Sequence, residues 1–203
     1  MTGLAFRPPV LLAGSHVRLL PLAREQIPEL AEAGADDEIW RYLRIGPGRD
    51  VAEMTALVDQ MLDDQRAGSV LPFAVERRST GRLVGMLRFF HIDRANAQVE
   101  VGTWLHPSVW RTAVNTEAKL LALAYAFEGE GIHRAMLKTD LHNARSAAAI
   151  ARIGGVREGT IREHIRRPDG QYSSSIVFSL LAPEWPAARD RLRARLDRGA
   201  SPA

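Results

Sequence analysis

The sequence predicts an α/β fold, a mixed and mostly antiparallel twisted sheet of about seven strands with helices on both faces. Three observations predict it. Between Val70 and Leu105, runs rich in strand-forming residues are separated only by turn residues, as in an antiparallel meander. Beyond them the pattern becomes strand-helix-strand-helix-strand, and a helical crossover is how a chain returns a strand parallel to its neighbour. No internal repeat interrupts the 203 residues, a length that one domain with a full core can use.

Each element follows from local chemistry. Residues 1–15 read as an N-terminal arm, 16–198 as a single domain and 199–203 as a tail. His16 to Leu22 alternates and reads as a strand, followed by a helix whose Ile27, Leu30 and Ala31 face inward. Pro28 fits because it falls in that helix's first turn. Asp36 and Asp37 cap a second helix, "EIWRYLRI", which Gly46-Pro47-Gly48 ends. Asp50 starts a longer helix with Met54, Leu57, Val58, Met61 and Leu62 on one side.

"VLPFAVER" and "RLVGMLRFFHI" form a hairpin across Ser-Thr-Gly, and "AQVEVGTWL" is a third antiparallel strand, ended by Pro107. A largely apolar helix runs from Asn115 to Glu128, with Leu120, Leu121, Ala124 and Phe127 on its inward side. "HRAMLKT" is a strand, and Asn143 to Ile153 a helix stopped by Gly154-Gly155. A hairpin turning at Pro168-Asp169-Gly170-Gln171 and a C-terminal helix complete the order.

Composition removes several functional classes. Without cysteine there are no disulfides, thiolate ligands or cysteine nucleophile, and the six histidines show no paired spacing, so no metal is expected. No run reaches the ~20 apolar residues of a membrane span. The opening residues lack a signal peptide's apolar stretch, so no membrane partner and a cytoplasmic location are expected. The pI of about 9.8 raises nucleic acid as a partner, carried by Arg189, Arg191, Arg193, Arg195 and Arg198. The net charge is only +3, and Leu192 and Leu196 at i, i+4 read as an inward stripe, so the sequence weighs against that reading.

The stretch "WRTAVNTEAK", Trp110 to Lys119, opens the apolar helix. A helix start presents unpaired N–H groups and about half a positive charge. Either Asn115 and Thr116 cap it, or the turn stays open to hold an anion. No phosphate-binding G-x-x-x-x-G-K-[ST], no G-x-G-x-x-G and no G-x-S-x-G occurs, which excludes three familiar enzyme classes.

Three marks follow one another here: "E-V-G-x-W-L-x-P" on the strand, "W" then "T-E-A" at the next helix, and "N-x-R-S" at the one after. Together they resemble the core of the GNAT superfamily of acyl-CoA-dependent N-acetyltransferases, and more narrowly the ribosomal-protein-alanine N-acetyltransferase branch. The resemblance implies a GNAT-like fold, acetyl-CoA as cosubstrate, a primary-amine acceptor (a peptide or protein N-terminus, or a small amine) and direct attack in a ternary complex. It also makes a homodimer plausible.

By that resemblance the pyrophosphate turn falls on Trp110, Arg111, Thr112, Ala113, Val114 and Asn115, with Thr116 following. Ala113 and Asn115 stand where the family carries glycine or another small residue. Trp104, Leu105 and His106 would offer backbone groups to the pantetheine arm, Gly102 would give it room, and Asn143 would lie beside it. Glu100 matches the family's general base. It alternates with Val99 and Val101 in an apolar strand, and a poorly solvated carboxylate is a stronger base. Ser146 matches a serine near the sulfur, a candidate proton donor. Trp40 and Tyr42 would line the acceptor cleft. Ser174 occupies the hairpin position where the branch often carries an acid. Lys119 and Arg145 read as solvated charges, and Glu117 as a complement to the helix dipole. The altered turn and Ser174 motivate a rival reading, a noncatalytic acyl-CoA-binding relative.

Overall fold

A computed structural model describes residues 8–43, 45–167 and 170–200. The expected turn residues Pro168 and Asp169, the first seven residues of the arm and the last three of the tail lie outside the described residues. Strands β1 (Leu12–Ala13) and β2 (Val17–Pro21) lead into helices α1 (Ile27–Gly34), α2 (Asp37–Trp40) and α3 (Val51–Arg66). The meander is β3 (Val70–Arg77), β4 (Arg82–Asp93) and β5 (Gln98–Leu105). Helix α4 (Ala113–Ala124), β6 (Arg134–Asp140), α5 (Ala144–Ile153), β7 (Val156–Arg166), β8 (Tyr172–Leu181) and α6 (Trp185–Ala200) follow.

The eight strands form one sheet in the order β1-β2-β3-β4-β5-β6-β8-β7, antiparallel throughout except for β5 and β6. The expected arm contains the extra strand: Leu12 and Ala13 pair with Leu19 and Arg18. Helices α4, α5 and α6 cover one face, over Phe73, Phe89, Val99, Val101 and Leu137. Helices α1 to α3 cover the other, over Ala74, Met86 and Trp104.

Asp36 and Asp50 cap their helices as read, and Asn143 caps α5; they accept from the backbone N–H groups of Glu38, Glu53 and Ser146. Gly154 ends α5 at φ 106°, a left-handed conformation that suits glycine. Helix α2 stops after four residues rather than continuing through Ile45. The inward stripe of α4 is Val114, Ala118, Ala122 and Leu123, while Leu120, Leu121, Ala124 and Phe127 are half-buried. On α6, Ala188 and Leu192 are buried, and Arg189 pairs with Glu128 and Asp190.

Glu117 has a larger part than dipole compensation. Its buried carboxylate accepts the backbone N–H groups of Ser15 (2.8 Å), His16 (2.5 Å) and Val17 (2.7 Å), which fastens the start of β2 to α4. A Cβ at Gly14 would lie 2.3 Å from that carboxyl carbon, so the approach needs glycine there.

Candidate active site

Strands β5 and β6 pair over only three positions, Gln98 with Arg134, Val99 with Ala135 and Glu100 with Met136. Beyond them β5 stays with β4 as far as Leu105, while β6 stays with β8 as far as Asp140. The divergence opens a cleft of about 270 Å³, bordered by both strands and by the starts of α4 and α5. Alternation gives it two sides. Glu100, Gly102, Trp104, Lys138 and Asp140 face the α1–α3 side, and Val101, Thr103, Leu137 and Thr139 face the α4–α5 side. The N–H of His106 donates to the Val84 carbonyl on β4 (2.8 Å). The same alternation therefore directs the backbone groups of Val101, Thr103 and Leu105 toward the gap.

Glu100 sits where the strands part and is 2 % exposed. The sequence places it in an otherwise apolar strand, and the structure adds polar partners from the neighbouring strands. Lys138 Nζ lies 2.8 Å from Glu100 Oε2, and His91 Nδ1 lies 3.1 Å from the same oxygen. Both partners meet Oε2, and Glu100 is among the residues that line the cleft. His91 reaches Glu100 from an irregular stretch of β4, at φ 49°. A left-handed backbone at a non-glycine residue costs about 1–2 kcal/mol, and such outliers gather at working sites. Neither Lys138 nor His91 was visible as a partner in the sequence.

The mouth of α4 is capped differently from the sequence expectation. Thr112, not Asn115 or Thr116, is the cap: its Oγ1 accepts the Val114 N–H (3.3 Å) and donates to the Val109 carbonyl (2.7 Å). Trp110 is extended and Arg111 lies at φ 64°, with the Thr112 N–H pointing back to the Val109 carbonyl (3.4 Å). That is a type II turn, whose third residue favours glycine. Ala113 and Asn115 have ordinary negative φ inside α4, so the glycines missing from the motif are not missed where they stand. The demand for a left-handed residue falls on Arg111.

Trp110 Nε1 donates to the Leu105 carbonyl (2.8 Å), and Arg145 stacks on its indole at 3.2 Å. Trp110, Arg111 and Asn115 face the main cleft. Thr112, Ala113 and Val114 face an adjoining depression with Arg77 and Arg78, two cations that sequence reasoning missed.

Lys119 is not a solvated charge. It is buried against Thr103, whose Oγ1 is its hydrogen-bond partner, and burial lowers its pKa to about 7. No carboxylate among the described residues pairs with it. Of the remaining expected residues, Tyr42, Trp104, Leu105, Asn143 and Ser146 line the cleft with Glu100. The Asn143 amide oxygen is spent as the α5 cap.

Four expected site residues line neither the cleft nor the depression. Trp40 packs on Trp104 (centroids 5.3 Å apart), and its Nε1 donates to the Gly34 carbonyl (2.7 Å). His106 has no free N–H, and its ring bonds Ser108. Ser174 Oγ accepts the Glu163 N–H (3.0 Å) within the β7–β8 hairpin. Thr116 lines neither the cleft nor the depression.

Comparison with known proteins agrees with this architecture. A model of the acetyltransferase (GNAT) domain matches residues 16–156. The chain is 24% identical over 170 residues to the uncharacterized N-acetyltransferase p20 of Bacillus licheniformis, covering 84% of this chain and 95% of that one. It is 25% identical to the spermidine N(1)-acetyltransferase of Escherichia coli (83% and 88% covered) and to that organism's [ribosomal protein uS5]-alanine N-acetyltransferase (61% and 64% covered). Among solved structures, a GCN5-related N-acetyltransferase from Brucella melitensis superposes with a TM-score of 0.85 at 29% identity, over 93% of this chain and 86% of that one.

Proposed function

The chain belongs to the GNAT acetyltransferase family and is an acetyl-CoA-dependent N-acetyltransferase, and on that premise we propose that Glu100 is its general base and the β5–β6 cleft its reaction site. The carrying observation is the placement of Glu100, buried at the parting of the strands and lining the cleft, with Lys138 and His91 both at Oε2. Acetyl-CoA supplies the acyl group and the thiol leaving group.

The residues present fit an extended, anionic cosubstrate. The N–H groups at the start of α4 lie between cations, with Arg111 and Arg145 on one side and Arg77 and Arg78 on the other. The gap-facing edge of β5 offers backbone partners along an arm, as an added strand would use them. Gly102 leaves a space where a Cβ would come within 3.1 Å of the Phe90 ring.

In this reading Glu100 accepts the proton of the attacking amine at Oε1, while Lys138 and His91 fix the carboxylate through Oε2. Ser146, on the cofactor side of the cleft, donates the proton that the departing sulfur needs. The amine attacks the acyl group directly, with both substrates bound.

The walls on the α1–α3 side favour an acceptor with one amine on an apolar body. Ile39, Tyr42, Ile45, Met86 and Phe90 line that side. Its charged groups are Arg88, Lys138, Glu100 and Asp140, and both carboxylates are already held, by Lys138 and by Arg167. A polycation such as the spermidine relative's named substrate finds little negative charge here. A peptide N-terminus or a compact apolar amine suits it better.

The test is calorimetric titration with acetyl-CoA followed by an amine panel of alanine-terminated peptides, aromatic amines and spermidine. We expect saturable one-to-one cofactor binding. Glu100→Gln should keep that affinity and lose ~10²–10⁴-fold in turnover, the range for removing a general base. Unchanged turnover would remove Glu100 from the chemistry, and absent binding would favour the noncatalytic alternative.

A further inference from the structure

Resting on the reading of the cleft as the acetyl-CoA site, we propose that Lys119 is itself an acetyl acceptor, modified by the thioester that the cleft binds. The distribution of amines in the chain first points to it. Among 27 lysines and arginines only two are lysines, Lys119 and Lys138, and both line this cleft. Arginine keeps its proton in proteins and does not act as an amine nucleophile. Every amine the chain carries, apart from its N-terminus, therefore stands at the place where acyl groups are transferred.

The two lysines are not equivalent. Lys138 Nζ is engaged by the Glu100 carboxylate at 2.8 Å. Lys119 has a neutral hydroxyl for a partner. That hydroxyl belongs to Thr103, whose backbone faces the gap, three residues along β5 from Glu100. The acyl carbon has to lie in that gap for an amine beside Glu100 to reach it, and Lys119 approaches the gap from the opposite side. The charges sharing the cleft are the cations Arg88, Arg111, Lys138, Arg145 and Arg152 and the two held carboxylates. Net positive surroundings and burial both favour the neutral amine at Nζ.

The step balances. The Nζ lone pair forms an amide bond to the acyl carbon. The carbon–sulfur bond breaks with its electrons on sulfur, and the proton lost from nitrogen ends on that sulfur. A neutral amide then replaces a desolvated ammonium, so the product relieves the burial that made the amine reactive.

The experiment incubates the intact chain with isotopically labelled acetyl-CoA at pH 8 and maps the label by peptide mass spectrometry. With Lys119 titrating near 7, about nine-tenths of it is neutral there, against about 0.4 % of an ordinary lysine. Label on Lys119 should therefore form roughly two hundredfold faster than on an ordinary solvated lysine. Its rate should rise with pH through about 7 and then level off, stay independent of protein concentration, and vanish with excess coenzyme A. Lys119→Arg, which keeps a charge and a comparable stem, should take no label there. If calorimetry shows cofactor binding yet Lys119 stays unlabelled, or labels no faster than in urea-unfolded chain, this inference is wrong and the proposed function stands. Label on Lys138 instead also overturns it. If no cofactor binds, the reading of the cleft falls first and takes this inference with it.

Discussion

Replacing Lys119 with methionine should stabilise the protein, and should do so in a pH-dependent way. A lysine whose pKa falls from 10.5 to about 7 on folding bears about 4–5 kcal/mol of desolvation at any pH where both states are protonated. The sign follows from proton counts. Below pH 7 folded and unfolded chains hold the same proton, and the folded chain bears the whole cost. Between 7 and 10.5 the unfolded chain holds a proton that the folded chain has lost, so stability rises with pH. The wild-type chain should therefore gain about 2.5 kcal/mol relative to Lys119→Met between pH 6 and pH 9. Comparing wild type with the variant cancels the other titrating groups, and methionine fills a similar volume beside Thr103 without a charge. Urea denaturation of both proteins at the two pH values measures the difference. Parallel stability curves would show that Lys119 is not a desolvated cation, and would also undercut its proposed reactivity.

Other substitutions test the surrounding architecture. Glu117→Gln leaves the N–H groups of Ser15, His16 and Val17 sharing one weaker acceptor, and should cost about 2–3 kcal/mol by chemical denaturation; an unchanged midpoint would mean that water replaces the carboxylate easily. Arg111→Gly should raise stability by about 0.5–1 kcal/mol, because it removes a left-handed side chain at the cost of some chain entropy. Acetyl-CoA affinity should weaken in the same variant, and calorimetry separates the two effects. Asn143→Ala should lower stability by about 1 kcal/mol through loss of the α5 cap, read as a lower melting temperature.

The parts of the fold that local chemistry decides were legible in the sequence. Asp36, Asp50 and Asn143 stop an extended segment and satisfy the next helix's first N–H groups within three residues, so spacing alone identifies them. The faces of β5 follow from a period of two, which placed Glu100 opposite Val99 and Val101. What depends on distant chain was not legible. Lys138 meets Glu100 only because β5 and β6 pair in parallel register, and His91 only because β4 turns left-handed at one residue. Lys119 looked like an exposed charge on an otherwise apolar helix, because the depth of that helix position depends on where Thr103 lies. Trp40 pairs with Trp104, 64 positions along the chain, and no periodicity announces such a contact. The turn at Arg111 misled in a different way. The motif's glycine positions drew attention to Ala113 and Asn115, whereas the residue under conformational demand carries a long side chain.

The three-position seam between β5 and β6 has a consequence for how the molecule can be taken apart. The chain crosses it once, through α4 and the segment before Arg134. Everything up to that crossing builds β1 to β5 with α1 to α4, and everything after it builds β6 to β8 with α5 and α6. Besides the seam, the halves share the core beneath α4 to α6 and meet where Phe127 stacks on Trp185, Glu128 bonds Trp185 Nε1 and Arg189, Arg145 stacks on Trp110, and Lys138 pairs with Glu100. Glu100 and Lys119 belong to the first half, and Lys138, Asn143 and Ser146 to the second. The two consecutive parts of the chain share one core, and the cleft between β5 and β6 belongs to neither part alone.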